Sequence, residues 1–242
     1  MPLLTVYLRE EAGLNFMQIG WAMALTNVPL LISPVLLTLL ADRQFDPRRI
    51  MAVSYFCSSL VLMGIFLAQG VVLTLVLFVF HGLFFVGMLP LQDGFYFSYA
   101  KQLRDEGKLA GSYPLVRLWG TIGFIIPSVV IWLILSKVDN SGLSLIVAVV
   151  FCLLSLLNSF FLPKVNNVER RGGSIPTSKA LGTIFSKHGR WLAIGLFVAF
   201  MSSSTFYATI GNYFSEEVNI PAKYIGLIIN IGVFLEIFYT ML

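Results

Sequence analysis

The sequence predicts an all-α polytopic membrane protein, and three observations lead to that prediction. Apolar residues make up 57% of the 242 residues and charged residues only 12%, about half of the 25% that is usual in soluble domains. The apolar residues form blocks long enough for a helix to cross the hydrocarbon core of a bilayer. Lys and Arg collect in alternate connections between these blocks. A soluble enzyme, a disordered chain and a nucleic-acid-binding domain are therefore disfavoured.

Six blocks are long enough to span the membrane, and a seventh begins near Tyr224 and is still apolar at Leu242. Residues 1–8 look like the end of another helix. Because every backbone group in lipid must be hydrogen-bonded internally, we expect all of these segments to be helices. The six full segments are predicted at Phe16–Leu40, Ile50–Leu67, Val71–Tyr99, Leu115–Leu135, Leu143–Leu162 and Trp191–Gly211.

The basic residues predict how these helices are oriented. Thirteen Lys and Arg residues lie in the connections at 41–50, 100–117 and 163–190, and three lie in the connections on the opposite side. Since positive charge favours the cytoplasmic side, we expect the first set of connections to face the cytoplasm. The sequence thus predicts a multi-pass protein of the plasma (cell inner) membrane.

Two of the predicted outward-facing loops carry the same pattern. YLREEAGLNFMQIG at 7–20 and YFSEEVNIPAKYIG at 213–226 share Tyr, Glu, Glu, Ile and Gly at an offset of 206 residues. Parallel repeats of this kind are a feature of transporter folds. We therefore expect a chain that starts late in helix 1 and stops within helix 8 of a longer protein. Its parts would be an N-terminal six-helix bundle at 1–162, a central cytoplasmic loop at 163–190 and the start of a C-terminal bundle at 191–242.

The connection LADRQFDPRRIM at 40–51 resembles the loop signature of the major facilitator superfamily, a Gly-x-Leu-Ala-Asp-Arg-x-Gly-Arg-type motif. Asp42 and Arg43 fall on the Asp and Arg of that motif. In the superfamily this loop acts as a latch between helices, with its acidic residue among basic groups and helix ends. The alternative is a basic cytoplasmic anchor followed by an Asp-Pro turn. The latch residues that the resemblance implies are Asp42, Arg43, Arg48 and Arg49.

Two further segments, MLPLQDGFYF at 88–97 and YPLVRLWGTIGFIIPS at 113–128, resemble the branch that contains phenylpropionate-type, nucleoside and lactose permeases. The resemblance implies a partial major-facilitator-type helical bundle, from the end of helix 1 through part of helix 8. It also implies a secondary active transporter that works by alternating access. In the lactose permeases the arginine that matches Arg117 belongs to the sugar site.

Three titratable residues inside the predicted spans are candidates for proton coupling. Glu236 lies about 12 residues into its helix, near mid-bilayer, where a charged carboxylate is poorly solvated. Asp93 lies at a similar depth to Arg117 in the next helix, and we expect the two to pair because an isolated charge is costly there. His81 is the third, since an unperturbed imidazole titrates near neutral pH. The alternatives are structural salt bridges, an arginine that reaches the interface, and a packed histidine.

Polar residues inside the spans predict a substrate cavity. Ser202, Thr205 and Thr209 recur at helical spacing on one face, which suits either a hydrated cavity or helix packing through hydrogen bonds. The substrate-cavity candidates are Arg117, Trp119, Thr121, Asn27, Ser202, Thr205 and Thr209.

Glycines and prolines inside the spans predict features of the helices themselves. Gly120 and Gly123 are spaced to allow a close approach of another helix. Prolines in a helix interior usually bend or break it. The prolines concerned are Pro29, Pro34, Pro90 and Pro127.

These patterns lead to one expected function and two alternatives. We expect a monomeric, proton-coupled symporter of a small organic solute in the lipid bilayer, with no cofactor and no metal. Walker, Gly-x-Ser-x-Gly and His-Glu-x-x-His motifs are absent from the sequence, which argues against an enzyme. The alternatives are a permease-like scaffold or sensor that does not transport, and a membrane-embedded enzyme such as a lipid transferase.

Overall fold

The computed structural model of this chain describes residues 2–43, 45–138, 140–165, 182, 185–187 and 189–241, apart from the side chains at positions 2, 38, 42, 43 and 236–241. The described part is built of α-helices and contains no strand. The helices are α1 (Pro2–Glu10), α2 (Phe16–Asn27), α3 (Ser33–Arg43), α4 (Pro47–Leu67), α5 (Val71–Phe85), α6 (Met88–Asp105), α7 (Tyr113–Leu135), α8 (Leu143–Phe161), α9 (Gly189–Asn212) and α10 (Ala222–Met241).

Six stretches of the described chain are long and apolar enough to cross a membrane, judged by length and composition. The all-α polytopic fold class is thereby confirmed. Most of the predicted central cytoplasmic loop at 163–190 lies outside the described residues. The six stretches are Phe16–Ala41, Pro47–Leu67, Val71–Asp105, Tyr113–Leu135, Leu143–Phe161 and Gly189–Glu217.

Several helices begin or end a few residues away from the predicted position, for local reasons. α4 begins at Pro47 because the Asp46 side chain accepts the backbone N–H of Arg48 and so caps the helix. A proline at the first helical position has no N–H to leave unsatisfied. α6 continues to Asp105, beyond the apolar block.

Two of the spans are interrupted, and the two interruptions lie against each other. A 3₁₀ turn at Val28–Leu31 separates α2 from α3, and the chain leaves the helix between α5 and α6. A Cβ atom on Gly82 would lie 2.3 Å from the carbonyl oxygen of Thr26, and one on Gly87 would lie 2.7 Å from Oγ of Ser33. Ser33 Oγ also donates a hydrogen bond to the Leu83 carbonyl oxygen at 2.6 Å. Glycine is therefore needed at both positions.

The glycines predicted to permit close packing do not do so in this structure. A Cβ atom on Gly120 or Gly123 would have no other described heavy atom within 4 Å, and Gly120 lines a cavity instead. The prolines behave as predicted only in part. Pro29 lies in the 3₁₀ turn, Pro127 lies inside an unbroken α7, and Pro90 falls in the first turn of α6, where it costs no hydrogen bond.

Three apolar clusters hold the helices together. The largest joins α1, α2, α4, α5 and α8 around Leu8, Ile65 and Phe78. A second joins α3, α4 and α6 around Met51 and Leu91. The third joins α1, α7 and α10 and contains Leu3, Val6, Leu135 and Ile225. The third cluster matters for the site because it brings α10, from the late part of the chain, against α7.

Candidate functional site

A cavity of about 900 Å³ lies between the early and late helices. Side chains of α4, α6, α7 and α8 form most of its wall, while Tyr207 of α9 and Val233 of α10 contribute from the other side. It reaches from Gly111 and Pro163, in connections rich in basic residues, to Phe124 near the middle of α7. Its volume is at the upper end of the range for small-molecule sites.

Asp93 and Arg117 are the charged side chains among the described residues that line this cavity. Arg117 NH1 lies 3.9 Å from Oδ1 of Asp93, and the two side chains are 53% and 37% exposed, respectively. The structure therefore brings the predicted pair together, at the long end of ion-pair distances. A pair this open has room for a polar group of a substrate beside it.

Tyr113 holds the carboxylate of this pair in place. Its hydroxyl donates a hydrogen bond of 3.0 Å to Oδ1 of Asp93, and its ring stacks on Phe97 with 5.0 Å between centroids. Tyr113 lies one turn before Arg117 on α7, so both groups approach Asp93 from the same helix face. Tyr96 packs on the Tyr113 ring and donates its hydroxyl proton to the Gly111 carbonyl oxygen.

Neutral polar groups complete the lining. Gln92 Nε2 donates a hydrogen bond to the Tyr55 hydroxyl across the gap between α6 and α4. Asn158 and Ser155 of α8 add an amide and a hydroxyl. Aromatic rings supply much of the remaining wall. The rings that line the cavity are Tyr55, Phe95, Tyr96, Tyr99, Tyr113, Trp119, Phe124 and Tyr207.

Of the predicted cavity residues, Arg117, Trp119 and Thr121 line the cavity, whereas the others do not. Asn27 is exposed and donates its amide to the Met23 carbonyl oxygen at 2.9 Å. Ser202, Thr205 and Thr209 lie on an exposed part of α9. Thr209 there donates its hydroxyl proton to the Thr205 carbonyl oxygen at 2.9 Å. Tyr207, from another face of α9, lines the cavity instead.

Sequence reasoning missed several lining residues. Gln92, Tyr96, Tyr99 and Leu103 recur at helical spacing next to Asp93, so extending the helix face from Asp93 would have found them. Tyr55, Asn158 and Tyr207 come from other helices, and no local pattern marks them.

His81 lies away from the cavity. It is buried among α4, α5 and α8, with Nδ1 3.0 Å from the Ser58 hydroxyl and its ring stacked on Phe85. Ser58 in turn lies 3.9 Å from Sγ of Cys152. These contacts are those of a packed, hydrogen-bonded histidine.

Glu236 lies in α10 three residues beyond Val233, and its side chain lies outside the described set. The side chains of Asp42 and Arg43 also lie outside it. The described latch residues are Arg48 and Arg49, and Arg49 is exposed.

Arg48 joins two helix ends. Its guanidinium donates to both carboxylate oxygens of Asp46 and, through NH1, to the Leu162 carbonyl oxygen at the end of α8 at 3.0 Å. The pKa of Asp46 is held below its usual value, chiefly by the hydrogen bond from Arg48. Asp46, the Asp of the Asp-Pro turn, is therefore the observed acidic partner of Arg48.

Among the described residues no group of three or more His, Cys, Asp and Glu lies close enough to hold a metal ion. Cys57 and Cys152 are both free.

Comparison with known proteins agrees with the resemblance to permeases found in the sequence. The MFS_1-like family matches the chain over residues 1–242. Maltose permease of Geobacillus stearothermophilus is 34% identical over 128 residues, which are 51% of this chain and 30% of the permease. YegT of Escherichia coli (strain K12), provisionally named a nucleoside transporter, is 23% identical over 247 residues, which are 96% of this chain and 54% of YegT.

Solved structures show the same fold. The crystal structure of the nucleoside transporter NupG matches 99% of this chain and 61% of the NupG chain, with a TM-score of 0.75 and 17% sequence identity. A mutant of NupG matches 98% of this chain and 61% of its own, with a TM-score of 0.81. This chain therefore spans about half of the length of YegT and less than two thirds of NupG.

Proposed function

This chain belongs to the MFS_1-like family of the major facilitator superfamily, and from that membership we propose that it is part of a proton-coupled symporter. The proposed transporter moves a small organic solute across the plasma membrane by alternating access. Residues 1–162 would form its N-terminal bundle, 163–190 its central cytoplasmic loop and 191–242 the start of its C-terminal bundle. The family membership supports transport, while coupling to protons is inferred from the residues of the site.

The observation that supports this proposal best is the Asp93–Arg117 pair inside a cavity walled by early and late helices. A solute bound there touches both parts, so movement of one part against the other exposes it to opposite sides of the membrane in turn. Charged side chains within a membrane are costly and commonly mark transport pathways. The pair also has a hydrogen-bonding partner in Tyr113, which keeps the carboxylate oriented.

We propose that protonation of Asp93 is one coupling step. An ionised Asp93 attracts Arg117 and accepts a hydrogen bond from the Tyr113 hydroxyl. A protonated Asp93 loses the attraction to Arg117 and frees the guanidinium for a substrate oxygen. Glu236, on α10 one turn from the cavity residue Val233, is the second candidate. His81 is a weaker candidate because its contacts are with Ser58 and Phe85 rather than with the cavity.

For the substrate we propose a neutral, ring-bearing solute with several hydroxyl groups, of the sugar or nucleoside class. Rings such as Tyr96, Tyr99 and Trp119 offer apolar faces for stacking, and Gln92 and Asn158 offer amides that bind hydroxyl groups. The names of the relatives, a maltose permease and a nucleoside transporter, point to the same class. The volume of about 900 Å³ admits either a nucleoside or a disaccharide.

Uptake by the full-length protein in proteoliposomes tests the proposal. Radiolabelled maltose and a panel of nucleosides are supplied with and without an inside-alkaline pH gradient. We expect accumulation of at least one solute that depends on the gradient. D93N and E236Q are then compared in the same assay and in solute exchange without a gradient. A coupling residue should lose accumulation by about tenfold or more and retain exchange.

E106Q is the matched control, since Glu106 is an exposed loop carboxylate paired with Lys108 at 2.7 Å and lies away from the cavity lining. It should transport like the parent protein. If D93N and E236Q both accumulate solute normally, the coupling assignment is wrong. Binding of a solute without any uptake would instead indicate a scaffold or sensor.

A further inference from the structure

The repeated loops at 7–20 and 213–226 share the backbone hydrogen bonds that close the turn after the preceding helix. The N–H of Ala12 bonds to the Tyr7 carbonyl oxygen at 3.1 Å, and the equivalent N–H of Val218 bonds to the Tyr213 oxygen at 3.1 Å. A second equivalent pair follows, in which Leu14 N–H bonds to Leu8 and Ile220 N–H bonds to Phe214, at 2.9 and 2.8 Å. The sequence repeat is therefore a repeat of structure.

A left-handed residue occurs at the same place in both loops. Gly13 has a φ of 66° and Asn219, 206 positions later, has a φ of 57°. Glycine and asparagine are the residues that adopt this conformation most readily. Each copy thus ends its helix with the same turn, although the residue that makes the turn differs.

The two copies are in direct polar contact. Arg9 Nε lies 2.9 Å from Oε1 of Glu216, and the Ser215 hydroxyl donates a 3.0 Å hydrogen bond to Oε1 of Glu10. The repeat offset maps Arg9 onto Ser215 and Glu10 onto Glu216. One contact is therefore the symmetry mate of the other, as in an interface across a two-fold axis.

Arg9 is positioned by its own half of the molecule. Its NH1 donates to the Leu14 carbonyl oxygen at 3.3 Å, and its guanidinium carbon lies 4.6 Å from the centre of the Phe16 ring. Phe16 begins α2, whose start is fixed by reciprocal hydrogen bonds between Asn15 and Gln18. The guanidinium is thus held ready to meet Glu216, which lies on a π-helical turn at Tyr213–Glu217.

From this symmetry we infer a two-fold latch at the outer end of the protein, separate from the predicted latch loop at 40–51. It consists of Arg9, Glu10, Ser215 and Glu216, and it closes the outer end while the cavity is open to the cytoplasm. The inference rests on the proposed alternating access. Both contacts join early helices to late ones at the end that the basic residues assign to the outside. An outward opening separates the two copies, so it breaks both contacts together. The latch therefore favours the inward-open state.

Ser128 provides a site from which to detect opening. It lies on α7 facing Gly226 of α10, where a Cβ atom on Gly226 would be 3.5 Å from the Ser128 Cβ. A cysteine at 128 is thus half-buried against α10 while the outer end is closed, and opening should expose it further. The parent for the test is S128C in a full-length protein whose other cysteines are replaced. Intact cells that contain this protein are treated with a membrane-impermeant maleimide, and the rate of labelling is measured.

E216Q and R9Q should each raise the labelling rate roughly two- to fivefold, as expected for loss of a partly exposed ion pair. R9Q/E216Q should label no faster than the faster single variant, because both changes remove the same contact. E10Q should give a smaller rise through the second contact. E11Q and E217Q, at equivalent positions one residue further along, are matched controls and should label like the parent.

Labelling after denaturation corrects for the amount of protein, and E10Q takes the place of E216Q if the latter does not accumulate. If E216Q and E217Q are labelled at the same rate, the inferred latch is overturned, whether that rate equals the rate of the parent or exceeds it. The readout is accessibility rather than uptake. A protein that shows the rise but moves no solute therefore contradicts the proposed function and retains the latch.

Discussion

Two arginines show how a single residue acts according to its partners. Arg117 has one carboxylate partner at 3.9 Å and lies in a cavity, so its charge is available to a ligand. Arg48 donates to Asp46 and to the Leu162 carbonyl oxygen at 3.0 Å, so its donors are occupied in tying α4 to the end of α8. The partners of each arginine therefore distinguish a residue of the site from one that supports the fold.

Asp46 should make the stability of the protein depend on pH. Because the pKa of this carboxyl is lowered in the folded protein, its ionised form stabilises the fold above the ordinary Asp pKa of about 3.9. That contribution is lost as the pH falls through the lowered pKa. D46N keeps a helix cap and removes the charge, so at pH 7 it should be less stable than the parent by less than about 1 kcal/mol.

The measurement is the apparent melting temperature of the detergent-solubilised full-length protein at several pH values from 7 down to 3. The gap between parent and D46N should close at the acid end. D46A removes the cap as well and should lose about 1 kcal/mol at every pH. A gap between parent and D46N that is the same at all pH values would contradict the prediction.

At the scale of helices, the crossing of the two interrupted spans is the tightest feature of the fold. α2 and α3 are separated by the 3₁₀ turn at Val28–Leu31, and this turn lies against the gap between α5 and α6. Two glycines, Gly82 and Gly87, leave space for backbone and for the Ser33 side chain. The bond from Ser33 to the Leu83 carbonyl oxygen satisfies an acceptor in this region.

G82A should therefore destabilise the protein, because its Cβ would lie 2.3 Å from the backbone oxygen of Thr26, and backbone moves less readily than a side chain. We expect a loss of about 1–3 kcal/mol or failure to accumulate. G123A is the matched control, with no described atom within 4 Å; alanine favours a helix over glycine by about 0.8–1 kcal/mol, so it should be neutral or stabilising. Size-exclusion profiles after heating give the apparent melting temperature of each variant, which should fall for G82A and not for G123A. A G82A profile like that of G123A would refute the packing argument.

On the scale of the whole molecule, contact between early and late helices depends on α7 against α10 and on α1 against α9 and α10. The apolar cluster of Leu3, Val6, Leu135 and Ile225 lies at the same junction. The cavity extends from this side of the molecule to Gly111 and Pro163, in the connections rich in basic residues. The early and late helices are therefore in contact at the predicted outer end.

The double variant S128C/G226C should form a disulfide in the cysteine-free full-length protein. The separation of 3.5 Å between the two Cβ positions falls at the short end of the range that disulfides require. Cross-linking should stop uptake by holding the outer end closed, and a reductant should restore it. S128C/G232C is the control, because a Cβ on Gly232 meets no described atom within 4 Å. Full uptake by the cross-linked protein would contradict alternating access at this junction.

The sequence by itself determined the membrane spans, the repeat at an offset of 206 residues and the depth of Asp93 and Arg117. The spans follow from local composition, because insertion into a bilayer depends on the hydropathy of one segment at a time. The repeat and the family motifs are contiguous stretches of sequence, so they too are visible without the fold, and the predicted family agrees with the comparisons. The latch loop at 40–51 stays a prediction, and the acidic partner that the structure gives Arg48 is Asp46 of the Asp-Pro turn.

Only the tertiary structure decided which polar faces meet. Tyr113 and Tyr207 reach the cavity from different helices, while the Ser202–Thr209 face of α9, equally polar in sequence, does not. Gly82 and Gly87 are needed for close packing, whereas Gly120 and Gly123 are not. Helical spacing specifies which residues share a face, but the partner of that face comes from a distant segment. That choice is made by the packing of all the helices together.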